Sequence, residues 1–142
     1  MTVIRHTGIV TRNIKKSLWF WTKLLDFKIK KQLIESGKTI DSVLGYKNVK
    51  VKTFKLKDKQ KNLIELLYFY NSPRKKKNEL YPYSPGITHI SVTVKNLEKK
   101  FIYFKKKKIK FKSKPRLSAD KNVLMTYCKT PEGCFLEMVQ EL

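Results

Sequence analysis

The chain of 142 residues carries one pattern twice, and that repetition constrains its fold more than any single motif does. Ile4-Arg5-His6-Thr7-Gly8-Ile9-Val10 aligns with Ile87-Thr88-His89-Ile90-Ser91-Val92-Thr93 at an offset of 83 residues. The match continues with Asn13 on Asn96, Ile14 on Leu97, Lys16 on Lys99 and Phe20 on Tyr103. Further on, Leu63-Ile64-Glu65-Leu66-Leu67 aligns with Phe135-Leu136-Glu137-Met138-Val139 at an offset of 72. The two offsets leave about eleven extra residues in the first copy, and the Glu35–Asn48 segment is their natural place. The chain is therefore read as a single domain of two like modules: residues 1–70, a linker at 71–86, and residues 87–142.

Each module shows the same order of elements. Val3–Val10 is apolar and β-branched, as a strand is, and Asn13 has the side chain of an N-cap. Ile14, Leu18, Trp21 and Leu25 then recur at helical spacing; Trp21 lies on that stripe and Trp19 off it. Phe27–Ile34 reads as a strand, Thr39–Leu44 as a short helical turn closed by Gly45, and Val49–Leu56 as a strand. The alternation of that last strand changes phase near Thr53, which predicts a bulge there. Leu63–Tyr70 is a strongly apolar strand. Pro73, Pro82, Pro85 and the run Arg74–Lys77 mark the linker. The second copy follows as strand Ile87–Val94, N-cap Asn96, a helix from Leu97 to about Lys107, and strands near Ile109, at Val123–Cys128 and at Cys134–Val139. Lys105–Lys108 complements the dipole at that helix's C-terminus, and Thr130–Gly133 forms the final hairpin turn. The module is β-α-β-β-β, used twice, and the fold class is α+β.

The chain has two histidines, His6 and His89, at equivalent positions of the repeat; Glu65 and Glu137 form a second equivalent pair. A lone histidine on an apolar strand is usually a core residue. A glutamate flanked by leucines on its own strand face is harder to satisfy, because an uncompensated carboxylate on an apolar face costs several kcal/mol. Neither glutamate strand contains a lysine or arginine. A divalent cation would neutralise the carboxylates, and neutral imidazoles would complete its ligand set. Buried ion pairs are the alternative.

Charge is the loudest feature of the composition. Lysine and arginine total 33 against 11 acidic residues, a net charge of +22. Only four of the 33 are arginine: Arg5, Arg12, Arg74 and Arg116. Bidentate reading of phosphates and bases favours arginine, so this balance argues against a dedicated nucleic-acid surface. A single alanine beside abundant Lys, Ile, Phe, Tyr and Asn resembles the product of an AT-rich coding sequence. The field still disfavours cationic ligands and draws anionic ones. No apolar run is long enough to span a membrane, and the first residues lack a signal pattern, so a cytoplasmic protein is expected. Cys128 and Cys134 flank the last turn and could face each other across it; free thiols are expected in that compartment.

The stretch from His6 to Phe27, a histidine strand, a short turn and a helix closing on Trp-Thr-Lys-Leu-Leu-Asp-Phe, resembles the opening of the vicinal oxygen chelate superfamily, with Asp26 where glycine is usual. Thr130-Pro131-Glu132-Gly133-Cys134-Phe135-Leu136-Glu137 resembles the family's Asp-Pro-Asp-Gly-x-x-x-Glu close, with Thr130 in place of the first aspartate. The resemblance implies two βαβββ modules in a curved, eight-stranded, partly open barrel around one metal site. It implies one divalent ion (Ni, Co, Zn, Mn or Fe) held by His6, Glu65, His89 and Glu137. The full His-Glu-His-Glu set is that of the lyase and epimerase branches. There, two substrate oxygens chelate the ion while a glutamate, here Glu137 with Glu65 as the alternative, moves a proton. The arginine and asparagine that hold glutathione in metal-dependent lactoylglutathione lyases correspond to Val10 and Phe69, which speaks against that thiol. The His-His pair and Gly-Ala-His-Gly loop of methylmalonyl-CoA epimerases are missing too. The expectation is a metal-dependent lyase or isomerase with a small anionic substrate, working as a homodimer. The alternatives are a binding or resistance-type protein, or a dioxygenase-like member, on the same scaffold.

Overall fold

The computed structural model describes residues 2–71, 80–82, 84–87 and 89–142. Two compact units divide the chain, Met1–Lys77 and Asn78–Leu142. The expected linker's Pro73 and Arg74–Lys77 run, and Thr88 of the expected fifth strand, lie outside the described residues.

The first unit runs β1 (Thr7–Val10), α1 (Ile14–Trp19), a π-helical turn (Phe20–Leu24), β2 (Lys28–Ser36), α2 (Lys38–Leu44), β3 (Lys50–Lys57) and β4 (Leu63–Phe69). Its sheet has the order β1-β4-β3-β2, with β1 parallel to β4 and the other pairs antiparallel. The second unit runs β5 (His89–Thr93), α3 (Leu97–Lys106), β6 (Arg116–Leu117), β7 (Val123–Lys129) and β8 (Phe135–Glu141), in the order β5-β8-β7-β6. Again the first strand is parallel to the last. Each unit is thus a βαβββ module, and the fold is α+β as the repeat predicts. Helix α2 falls in the segment expected to hold the first copy's extra residues, and Gly45 closes it in the left-handed conformation at φ 74°.

Both helix starts are built alike. Asn13 Oδ1 accepts the Lys16 N–H at 3.0 Å, and Asn96 Oδ1 accepts the Lys99 N–H at 2.9 Å. The buried face of the first helix differs from the expected one. Ser17, Phe20, Trp21 and Leu24 are buried, whereas Ile14, Leu18 and Leu25 are half-exposed. Ser17 turns inward because its hydroxyl meets the Thr11 hydroxyl at 2.6 Å, which satisfies both buried groups. The π turn then carries Phe20 and Trp21 into the core together, edge to face at 5.6 Å, with Phe27 edge-on to Trp21 at 5.4 Å. Trp19 stays outside that core, as expected.

Four further expectations need correction. The first strand begins at Thr7 rather than Val3, so His6 precedes it by one residue. The β3–β4 ladder is unbroken through Thr53; the irregularity lies between Ile29 and Lys31 of β2. Thr53 and Phe54 are both buried without an inserted residue, which explains the apparent phase change. No strand forms at Ile109. Phe111 makes one bridge to Cys128, and regular pairing resumes only at Arg116–Leu117, past Pro115, which has no N–H to give a ladder. Cys128 faces Leu136 rather than Cys134, and both thiols are free.

Candidate functional site

In each unit the parallel pairing of first and last strands sets a histidine beside a glutamate. Gly8 lies opposite Glu65, and Ser91 opposite Glu137. His89 stands two residues before Ser91 on the face of β5 that Glu137 shares, and His6 two residues before Gly8, just ahead of β1. His6 Nε2 lies 3.2 Å from Glu65 Oε2, and His89 Nε2 lies 3.9 Å from Glu137 Oε2. The glutamates are the more buried partners, at 14% and 16% side-chain exposure against 27% for His6 and 44% for His89.

The middle strand of each module supplies a third group that the sequence reading missed. Lys55 of β3 is directly opposite Glu65, with Nζ 3.6 Å from Oε1. Tyr127 of β7 is directly opposite Glu137 and donates its hydroxyl to Oε1 at 2.8 Å. Glu65 therefore has a cation beside it, from the neighbouring strand rather than its own. The signal was present: Lys55 and Tyr127 are related by the same offset of 72 as the two glutamates. The Tyr127 ring also stands edge-on to His89, with centroids 5.5 Å apart. Burial, then the hydrogen bond and the charge of Glu137, push the Tyr127 phenol up to about 12.

The donor chemistry suits a divalent cation. Nitrogen and oxygen donors about 2.0–2.2 Å from one ion stand roughly 2.8–3.6 Å apart. His6 and Glu65 already have that separation at 3.2 Å, and His89 and Glu137, at 3.9 Å, need a small side-chain rotation. Among the described residues, the buried His6 Nδ1 has no hydrogen-bond partner, so none of them orients the ring from its far side. Among the described residues, no group of three or more His, Cys, Asp or Glu stands together. An open cavity of about 590 Å³ in the first unit, lined by Asp26, Lys28, Lys57, Asp58, Lys59 and Lys61, includes none of the four candidate ligands.

Among the described residues, no helix is long and apolar enough to cross a membrane. No curated protein matches the chain. Solved structures do. A glyoxalase family protein from Bacillus cereus superposes with a TM-score of 0.89 at 15% identity, covering 100% of this chain and 95% of its own. A glyoxalase family protein from Enterococcus faecalis follows at 0.69 and 19%, covering 98% of each chain. The trypanothione-dependent glyoxalase I of Leishmania major gives 0.68 and 19%, with 99% and 88% covered. At these identities the likeness is one of fold. The family description Glyoxalase/Bleomycin resistance protein/Dioxygenase superfamily matches residues 3–138, nearly the whole chain, and with the doubled βαβββ module it shows that the chain belongs to that superfamily.

Proposed function

We propose that the protein is a metal-dependent enzyme of the lyase or isomerase type. In this reading His6, Glu65, His89 and Glu137 together bind one divalent cation, the substrate is small and anionic, and the working form is a homodimer. One observation carries it: the register that sets His6 beside Glu65 recurs, strand for strand, at His89 and Glu137. Structural reasons alone seldom place a histidine and a half-buried carboxylate together twice at equivalent positions.

A bound divalent cation supplies Lewis acidity to substrate oxygens. The chain's own groups do the rest. His6 and His89 offer Nε2 as neutral donors. Glu137, with Oε1 held by the Tyr127 hydroxyl, would ligate through Oε2 and, once that oxygen is loosened by substrate, accept a proton there from the carbon beside a carbonyl and return it elsewhere. Glu65, with Oε1 beside Lys55, is the less available base. The surrounding positive charge draws in an anionic substrate.

Protein prepared without chelators and offered Ni, Co, Zn and Mn in turn should bind close to one equivalent, and His89→Ala should weaken that binding strongly. Glu137→Gln should retain the metal yet slow substrate proton exchange by about a hundredfold or more, while Glu65→Gln costs less turnover. Absence of binding near one equivalent for every ion refutes the metal reading. A mild Glu137→Gln beside an inactive Glu65→Gln reverses the roles of the glutamates.

A further inference from the structure

The two modules agree in fold, register and His–Glu pairing, yet differ at the position opposite the glutamate. Module one has an ammonium there and module two a neutral phenol. Lys55 Nζ sits 3.6 Å from Glu65 Oε1 while His6 Nε2 sits 3.2 Å from Oε2, so each oxygen of this carboxylate has a partner. A divalent cation at Glu65 would stand beside a fixed positive charge on the same sheet face. Like charges at that range repel, and the half-buried setting screens them less than open water would.

We infer that Lys55 is a built-in counter-ion that competes with the divalent cation for Glu65 and so sets the affinity of the site. This rests on reading His6 and Glu65 as cation ligands. A cation at Glu65 would meet the like charge of Lys55, whereas at Glu137 the group opposite is the neutral Tyr127 hydroxyl, which can keep donating to Oε1 while Oε2 ligates. Module one is then the weaker half of the ligand set. Were Glu65 to turn to the cation, the Lys55 ammonium beside it would be left to meet an anionic group of the substrate.

The test is Co(II) titration of the chelator-stripped full chain, read by calorimetry and by the visible absorption of the bound ion. Lys55→Met keeps the length of the side chain and removes its charge. It should tighten binding roughly three- to fivefold, the scale of one partly exposed ion pair. Lys52→Met is the control for the general field. Lys52 lies on the same strand but the opposite face, with Nζ over the Phe54 ring at 5.1 Å, and its loss should change affinity less than about twofold. In a Glu65→Gln background Lys55→Met should have a much smaller effect, which a merely structural role for Lys55 would not produce. Lys55→Gln gives the same readout should Lys55→Met fail to fold. If wild type binds near one equivalent and loss of Lys55 leaves affinity unchanged or weaker, the competition is refuted while the metal reading stands. Binding by Lys55→Met alone supports the competition and refutes a resident cation in the native chain. No binding by any variant overturns both.

Discussion

Lys55 and Tyr127 occupy the same place in the two modules, each directly across the ladder from its module's glutamate. One presents a full charge and the other a hydrogen-bond donor. The strand register around the two carboxylates is therefore the same, and the side chain that faces them differs.

Tyr127→Phe tests the second arrangement. It removes a 2.8 Å bond to a carboxylate in a half-buried setting, and the protein should lose about 1–2 kcal/mol in urea unfolding. The phenol itself should resist ionisation until pH nears about 12, since burial and Glu137 both raise it. Glu137→Gln should move that titration back toward 10, the ordinary tyrosine value. Tyrosinate absorbance followed in both proteins decides the point, and an unmoved curve counts against the contact.

The Thr11–Ser17 hydroxyl pair predicts strong non-additivity. Ser17→Ala strips Thr11 of its 2.6 Å partner in a buried site and should cost about 1 kcal/mol or more. Thr11 Oγ1 also accepts the Asn13 N–H at 3.1 Å, so Thr11→Val should cost more than Ser17→Ala. The double variant should lose less than the sum of the two. Thermal or urea unfolding of the four proteins provides the cycle, and simple additivity would argue that the hydroxyls do not interact.

Lys108 follows the end of α3 in the left-handed conformation at φ 61°, while the Ile109 N–H reaches back to the Phe104 carbonyl at 3.1 Å. Glycine adopts that backbone without a Cβ penalty. Lys108→Gly should therefore raise stability by about 0.5–1 kcal/mol, even after loss of one favourable charge at the helix end. A fall in the urea midpoint is the opposing result.

Cys128 is fully buried in β7, and burial pushes its thiol up to about 12 from 9.0. The folded value lies above the unfolded one. The resulting stability is intact below about pH 9 and is lost as pH climbs toward about 12. Cys128→Ala should flatten that alkaline decline. In the folded wild type near neutral pH, Cys128 should react with thiol reagents far more slowly than in the denatured chain. Equal rates in the two states would contradict its burial.

Much of this architecture was legible because the chain states it twice. The matched offsets yielded both modules, both asparagine caps, the site of α2 and the equivalence of the two histidines and of the two glutamates. What escaped depended on partners far off in sequence. Ser17 looks like a surface residue until Thr11 folds beside it, and the inward turn of Phe20 follows from a π turn that helical spacing does not encode. Lys55 looks like a solvated lysine on an alternating strand, and only the hairpin register puts it against Glu65. β6 escaped because Pro115 delays pairing that apolar content places earlier.

The parallel pairing of first and last strands also governs when a site can come into being. Each histidine belongs to the opening segment of its module and each glutamate to the closing strand, so no local hairpin can bring them together. The whole module must be present before its pair exists, and closing so long a loop is a slow, late event. During synthesis, Glu65 leaves the ribosome well before residue 89 does. Within the first module, Lys55 stands beside the Glu65 carboxylate once β3 and β4 pair, with no need of the second module.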